Sequence, residues 1–102
     1  MALGALAFGG CSDSDKAAMK YTVQSRSMEP TIRVGQNVMV VPYSSKPKEG
    51  DIVLIKHPDY AEPVIHRLAL IDGAMIQTKG DANKLYDRPL PASSIIGQAF
   101  PL

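Results

Sequence analysis

The sequence is 102 residues long, which fits one small domain with a modest core. Its formal net charge of +1 argues against the broad basic surface that nucleic-acid binding needs. One cysteine, Cys11, excludes an internal disulfide. It has no Cys or His neighbour at metal-ligand spacing, so no metal or cofactor is expected.

Residues 1–18 read as a targeting and linker segment, and residues 19–102 as the folded domain. Met1 to Gly10 is a run of small and aliphatic residues, and Ser12-Asp13-Ser14-Asp15-Lys16 is polar. That abrupt change resembles the end of a secretory apolar region. Small residues directly before Cys11 resemble a bacterial lipoprotein processing site, at which Cys11 would be lipidated. Phe8 and the missing basic residues at the start depart from that pattern. The run is shorter than the roughly 20 residues of a membrane span, so the tail of a trimmed transmembrane helix is a second reading. A frayed terminus with an idle thiol is the third. The first two place the domain on the extracytoplasmic face of a membrane.

Beyond Met19 the pattern is strand-like. Lys20 to Gln24 alternates and is rich in β-formers, and Asn37 to Val41 is a short apolar run between Gly35 and Pro42. Asp51 to Lys56 is similar, bounded by Glu49-Gly50 and His57-Pro58. Pro63 to Ile71 is the longest candidate. Alternation puts Val64, His66, Leu68 and Leu70 on one face, and Ile65, Arg67, Ala69 and Ile71 on the other. Asp72-Gly73 marks a hairpin, from which Ala74 to Thr78 returns antiparallel. Ser93 to Gln98 is a final short strand. Helical periodicity is weak, and the best helical segment is a single turn over Met28 to Arg33, with Pro30 near its start. The sum is an all-β domain of about six short strands in coiled, twisted sheet.

The chemistry concentrates on Ser27, in Ser25-Arg26-Ser27-Met28-Glu29-Pro30-Thr31. A serine in a turn is ordinarily just solvated. Here a strand ends and a turn begins, so a hydroxyl can project from rigid backbone beside free N–H groups that can face an oxyanion. Ser25 lies two residues upstream on the same face, where its hydroxyl can assist the Ser27 amide. His66, on the apolar side of a strand, is either a core histidine or a base that accepts a serine proton near neutral pH. Asp81 and Asp87, in Gly80-Asp81-Ala82-Asn83-Lys84-Leu85-Tyr86-Asp87-Arg88, are either turn residues or the acid that orients the imidazole.

Four blocks, in order, resemble the signal peptidase I family. Ser25 to Thr31 resembles its Ser-x-Ser-Met-x-Pro-Thr nucleophile block. Lys48-Glu49-Gly50-Asp51-Ile52-Val53 resembles its Gly-Asp strand. Val64-Ile65-His66-Arg67 stands where the general base stands, and Thr78 to Asn83 with Asp87-Arg88 and Ile95-Ile96-Gly97 resembles the last block. The similarity runs from about Tyr21 to Phe100. It implies the coiled β-sheet fold shared with the SOS repressor peptidases, and acyl-enzyme hydrolysis of exported or membrane-anchored precursors after small residues. Typical bacterial members carry Lys at the base position; His66 resembles the endoplasmic-reticulum and archaeal branch, with a Ser-His-Asp centre. That resemblance makes Ser27 the nucleophile and His66 the base. Asp87 is the preferred acid, with Asp81 as its rival, and Ser25 and Ser27 form the oxyanion hole. It also implies an extended substrate added as a strand between Tyr21–Gln24 and Pro63–Ile65. Val23, Gln24, Met28, Ile32, Val64 and Ile65 would then contact it, several of them around a small apolar pocket. Core packing is the other reading of these residues.

Gly35-Gln36-Asn37 departs from the family's Gly-Asp step, and a lipid on Cys11 would have to replace the usual membrane helix. His57 is a second possible base, in a turn where solvation is the simpler expectation. Lys56 and Lys79 do not stand at the base position. Two rivals remain: a self-cleaving regulator of the SOS repressor type, which would need a DNA-binding domain and a Lys base, and a degenerate module that binds peptides without cutting them.

Overall fold

The computed structural model describes residues 18–102. Residues 1–17, with Cys11 and nearly all of the expected anchor segment, lie outside the described residues. The chain forms strands β1 (Met19–Thr22), β2 (Asn37–Val41), β3 (Ile52–Ile55), β4 (Val64–Asp72), β5 (Met75–Lys79), β6 (Leu90–Pro91) and β7 (Ile95–Pro101). A single 3-10 turn, Ala92–Ser94, leads into β7. Among the described residues all seven strands join one open antiparallel sheet in the order β1-β2-β7-β3-β4-β5-β6. Among the described residues no helix is long and apolar enough to cross a membrane.

The expected number of strands was about six. The additional one, β6, has two residues and pairs only Met75 with Pro91 and Ile76 with Leu90. A two-residue edge strand that contains proline leaves no alternating run to read. The expected helical turn over Met28–Arg33 is instead a set of turns. Glu29 N–H donates to Arg26 O at 3.1 Å and Ile32 N–H to Met28 O at 2.9 Å. Pro30 has no N–H with which to extend that pattern.

Both faces of the sheet are covered at β3, which explains its unbroken apolar run. Leu54 packs with Val23, Met28, Ile32 and Ile65 on one side. Val53 and Ile55 pack with Leu68, Ile76 and Leu90 on the other. A strand buried on both faces has no polar alternation to show.

The simple alternation along β4 fails at Ala69. Leu68 pairs with Thr78 and Leu70 with Gln77, so Ala69 is an extra residue without a partner. A bulge resets which side chains face the core. Leu70 is therefore exposed, while Ile71 packs against the second cluster. The turn that follows is Gly73–Ala74, because Asp72 is still paired with Met75. The return strand thus starts one residue later than expected.

Candidate active site

Three segments distant in sequence meet at one end of the sheet. Ser27 stands in the turn beyond β1, His66 is the third residue of β4, and Asp87 lies between β5 and β6. Ser27 Oγ lies 3.1 Å from His66 Nε2. His66 Nδ1 lies 2.6 Å from Asp87 Oδ2. Both His66 and Asp87 are buried, whereas the Ser27 hydroxyl borders a cleft.

The partners of Asp87 define the proton arrangement. Tyr60 OH donates to Oδ1 at 2.7 Å, and Thr78 Oγ1 donates to Oδ2 at 2.7 Å. Burial is the largest influence on this carboxyl and opposes its charge. The hydrogen bonds from Tyr60, Thr78 and His66 together outweigh burial, so the group titrates below its usual range. An ionised Asp87 can only accept, which assigns the proton to His66 Nδ1 and leaves Nε2 free to accept from Ser27. The Asp87 backbone is fixed as well: its N–H donates to Thr78 O at 2.8 Å, and its carbonyl accepts from Gln77 Nε2 at 3.0 Å.

Ser25 Oγ lies 3.1 Å from Ser27 Oγ, and the Ser27 N–H points at Ser25 Oγ from 3.5 Å. The Ser25 hydroxyl therefore sits beside both the Ser27 hydroxyl and the Ser27 amide. The loop after β5 clasps this turn from below. Ala82 N–H donates to Ser27 O at 2.8 Å. Gly80 sits so close that a Cβ there would fall 2.7 Å from Ser27 O and 2.9 Å from Ser27 Cβ.

Asp81 does not reach the imidazole in this arrangement. Arg67 binds it through both oxygens, Nε to Oδ1 at 2.9 Å and Nη2 to Oδ2 at 2.8 Å, and Thr31 Oγ1 donates to Oδ2 at 2.7 Å. The hydrogen bond from Arg67 holds the Asp81 carboxyl below its usual range; burial opposes this, and Thr31 adds to it. The cluster ties the 80–83 loop to β4 and to the turn that carries Ser27.

The family described as "Signal peptidase, peptidase S26" matches residues 15–98, most of the chain. The chain belongs to the signal peptidase family. Its all-β sheet agrees with that family's peptidase domain, and peptidase is the class of activity that membership suggests. No curated protein matches the chain.

Two clefts lie on this side of the sheet, one lined by Ser25 and the other by both Ser25 and Ser27. One, of about 180 Å³, runs between β1 and the start of β4, with Val23, Gln24, Val64 and Ile65 on its walls. Tyr21 OH donates to Pro63 O at 2.9 Å across it. The other holds Ser27 and His66, with Arg26, Ala82 and Asn83 around them. Met28 and Ile32 line neither of these clefts. Both are fully enclosed in the first core cluster, and Met28 Sδ accepts from the Asp81 N–H at 3.4 Å.

His57 is not solvated as expected but 1% exposed. Asp59 N–H donates to its Nδ1 at 3.0 Å, and its Nε2 faces Arg88 O at 2.9 Å. Both ring nitrogens are therefore engaged away from Ser27. Lys56 is exposed, and Lys79 Nζ donates to Gly80 O at 3.3 Å. Nothing in the sequence marks Tyr60. Its hydroxyl meets Asp87 from 27 residues away, and no local spacing announces such a contact.

Proposed function

We propose that this chain is a serine endopeptidase of the signal peptidase type, with Ser27 as nucleophile, His66 as general base and Asp87 as the orienting acid. The observation that carries the reading is the continuous hydrogen-bonded path from Ser27 Oγ through the imidazole to Asp87. His66 takes the Ser27 proton at Nε2 as Oγ attacks the scissile carbonyl. Asp87 stabilises the imidazolium, and the Ser27 N–H and Ser25 hydroxyl receive the oxyanion. The imidazolium then protonates the leaving amine. Water, deprotonated by the same nitrogen, hydrolyses the ester and frees Ser27.

A histidine base favours the endoplasmic-reticulum and archaeal branch over the Ser-Lys enzymes. Asp81 acts in this scheme as a brace for the loop beneath Ser27. The small apolar cleft along Val23, Val64 and Ile65 supports cleavage after small residues, with the substrate extended between β1 and β4. Exported or membrane-anchored precursors are the proposed substrates. The proposed location is the extracytoplasmic face of a membrane, held there through the N-terminal segment and, if acylated, Cys11.

A peptide with Ala-x-Ala before the cut tests this reading. The wild-type protein is expected to hydrolyse it, and Ser27→Ala and His66→Ala are each expected to lower kcat/KM by at least about 10³-fold. Full activity in either variant would overturn the mechanism. A folded wild type that binds the peptide and never cuts it would make the chain a binding module instead.

A further inference from the structure

We propose that Tyr60 is a positioning residue of this site: its hydroxyl holds the Asp87 carboxylate against His66, and its ring walls both clefts in which the substrate would lie. The inference rests on the peptidase reading above and adds to it the part that orients the acid.

The two oxygens of Asp87 are held differently. Oδ2 receives both His66 Nδ1 and Thr78 Oγ1, whereas Oδ1 receives the Tyr60 hydroxyl. Without a donor on Oδ1 only the bonds at Oδ2 oppose rotation about Cβ–Cγ, so the carboxylate can tilt and loosen its bond to the imidazole. Tyr60 is a dependable donor. Burial first, then the bond to Asp87 and the nearby negative charges, pushes its phenol up to about 12. Its ring also stands edge-on to His66, with centroids 5.7 Å apart and planes at 83°. The imidazole cannot swing toward this wall without displacing the ring.

Tyr60 is itself anchored. Its N–H donates to His57 O at 3.0 Å, and the rings of His57 and Tyr60 meet at 5.5 Å. Buried His57 bonds Arg88 O, and Arg88 pairs with Asp59, with Nε 2.8 Å from Oδ2. The loop that carries Tyr60 is thus locked to the segment that carries Asp87. Tyr60 stays 37% exposed, and it borders the cleft of Val64 and Ile65 as well as that of Ser27. A bound chain would pack on it.

A double-mutant cycle tests the assignment, with the same Ala-x-Ala peptide. Tyr60→Phe keeps the ring and removes the hydroxyl. It is expected to lower kcat about tenfold and leave KM within about twofold, because the loss acts through Asp87. In an Asp87→Asn background the same change should cost less than about twofold. Tyr60→Leu, which also removes the ring, should raise KM as well. An equal cost of Tyr60→Phe in both backgrounds would mean a merely structural role and overturn the proposal.

A second measurement needs no turnover. The Asp87 carboxyl, followed by NMR, should titrate at higher pH in Tyr60→Phe, since the carboxylate has lost a donor. An unchanged titration would overturn the proposal on its own. If Ser27→Ala cleaves as well as wild type, the peptidase reading fails separately, and the titration still decides whether Tyr60 holds Asp87.

Discussion

Asp81 and Asp87 are the same residue type six positions apart, and their surroundings give them different work. Asp87 is buried against an imidazole, a phenol and a threonine hydroxyl, whereas Asp81 is clamped by a guanidinium. Asp87→Asn is expected to cost about 10⁴-fold in kcat with the fold retained, since it disturbs the imidazole tautomer. Asp81→Asn should chiefly cost stability, about 1–2 kcal/mol, seen as a lower Tm. Both carboxyls titrate below their ordinary values in the folded protein. Their contribution is therefore complete above the unfolded carboxylate pKa of about 4, and is lost as pH falls through the lowered folded values. Thermal melts should show Tm dropping below about pH 4, and a shallower drop in Asp81→Asn. Ser27, Ser25, His66 and both aspartates were legible as candidates because each sits in a short motif. The resemblance prefers Asp87 to Asp81 as the imidazole's neighbour; the contact of Tyr60 with it is a matter of spatial placement alone.

At the scale of elements, what positions Ser27 is the close approach of two turns. Gly80 touches the nucleophile turn, and Gly97 in β7 lies against β2, where an added Cβ would fall 2.7 Å from Val41 O. The two glycines should respond differently to alanine. Gly80→Ala is expected to push Ser27 away from His66, lowering kcat at least about tenfold at a modest cost in Tm. Gly97→Ala should lower Tm while the remaining folded protein keeps its kcat. Equal loss of activity per folded molecule in both would contradict this placement of Ser27. Most strand positions were readable from alternation and from Gly and Pro boundaries. The exceptions have local causes. The bulge at Ala69 shifts the phase of β4, the hairpin turn sits one residue late, and β6 is too short to carry a pattern.

Across the described residues, one sheet serves two cores, and the candidate site lies where the segments leading from its strands converge. Leu54 and Leu68 belong to opposite clusters. Leu54→Ala and Leu68→Ala should each cost about 2–5 kcal/mol in urea unfolding, in a single transition, because β3 and β4 belong to both cores. Two separate transitions would contradict a shared sheet. The wrapping of one sheet into two cores was only partly legible: the unbroken apolar run of β3 says that both faces are covered, and not by what. In the proposed mechanism His66 activates Ser27 for acyl transfer. A peptidyl phosphonate ending in Ala, followed by intact-mass and peptide mapping, tests it most directly. The expected result is one covalent adduct, on Ser27, that forms with wild type and is lost in His66→Ala. An adduct on another residue, or equal labelling of Ser27 without His66, would contradict it.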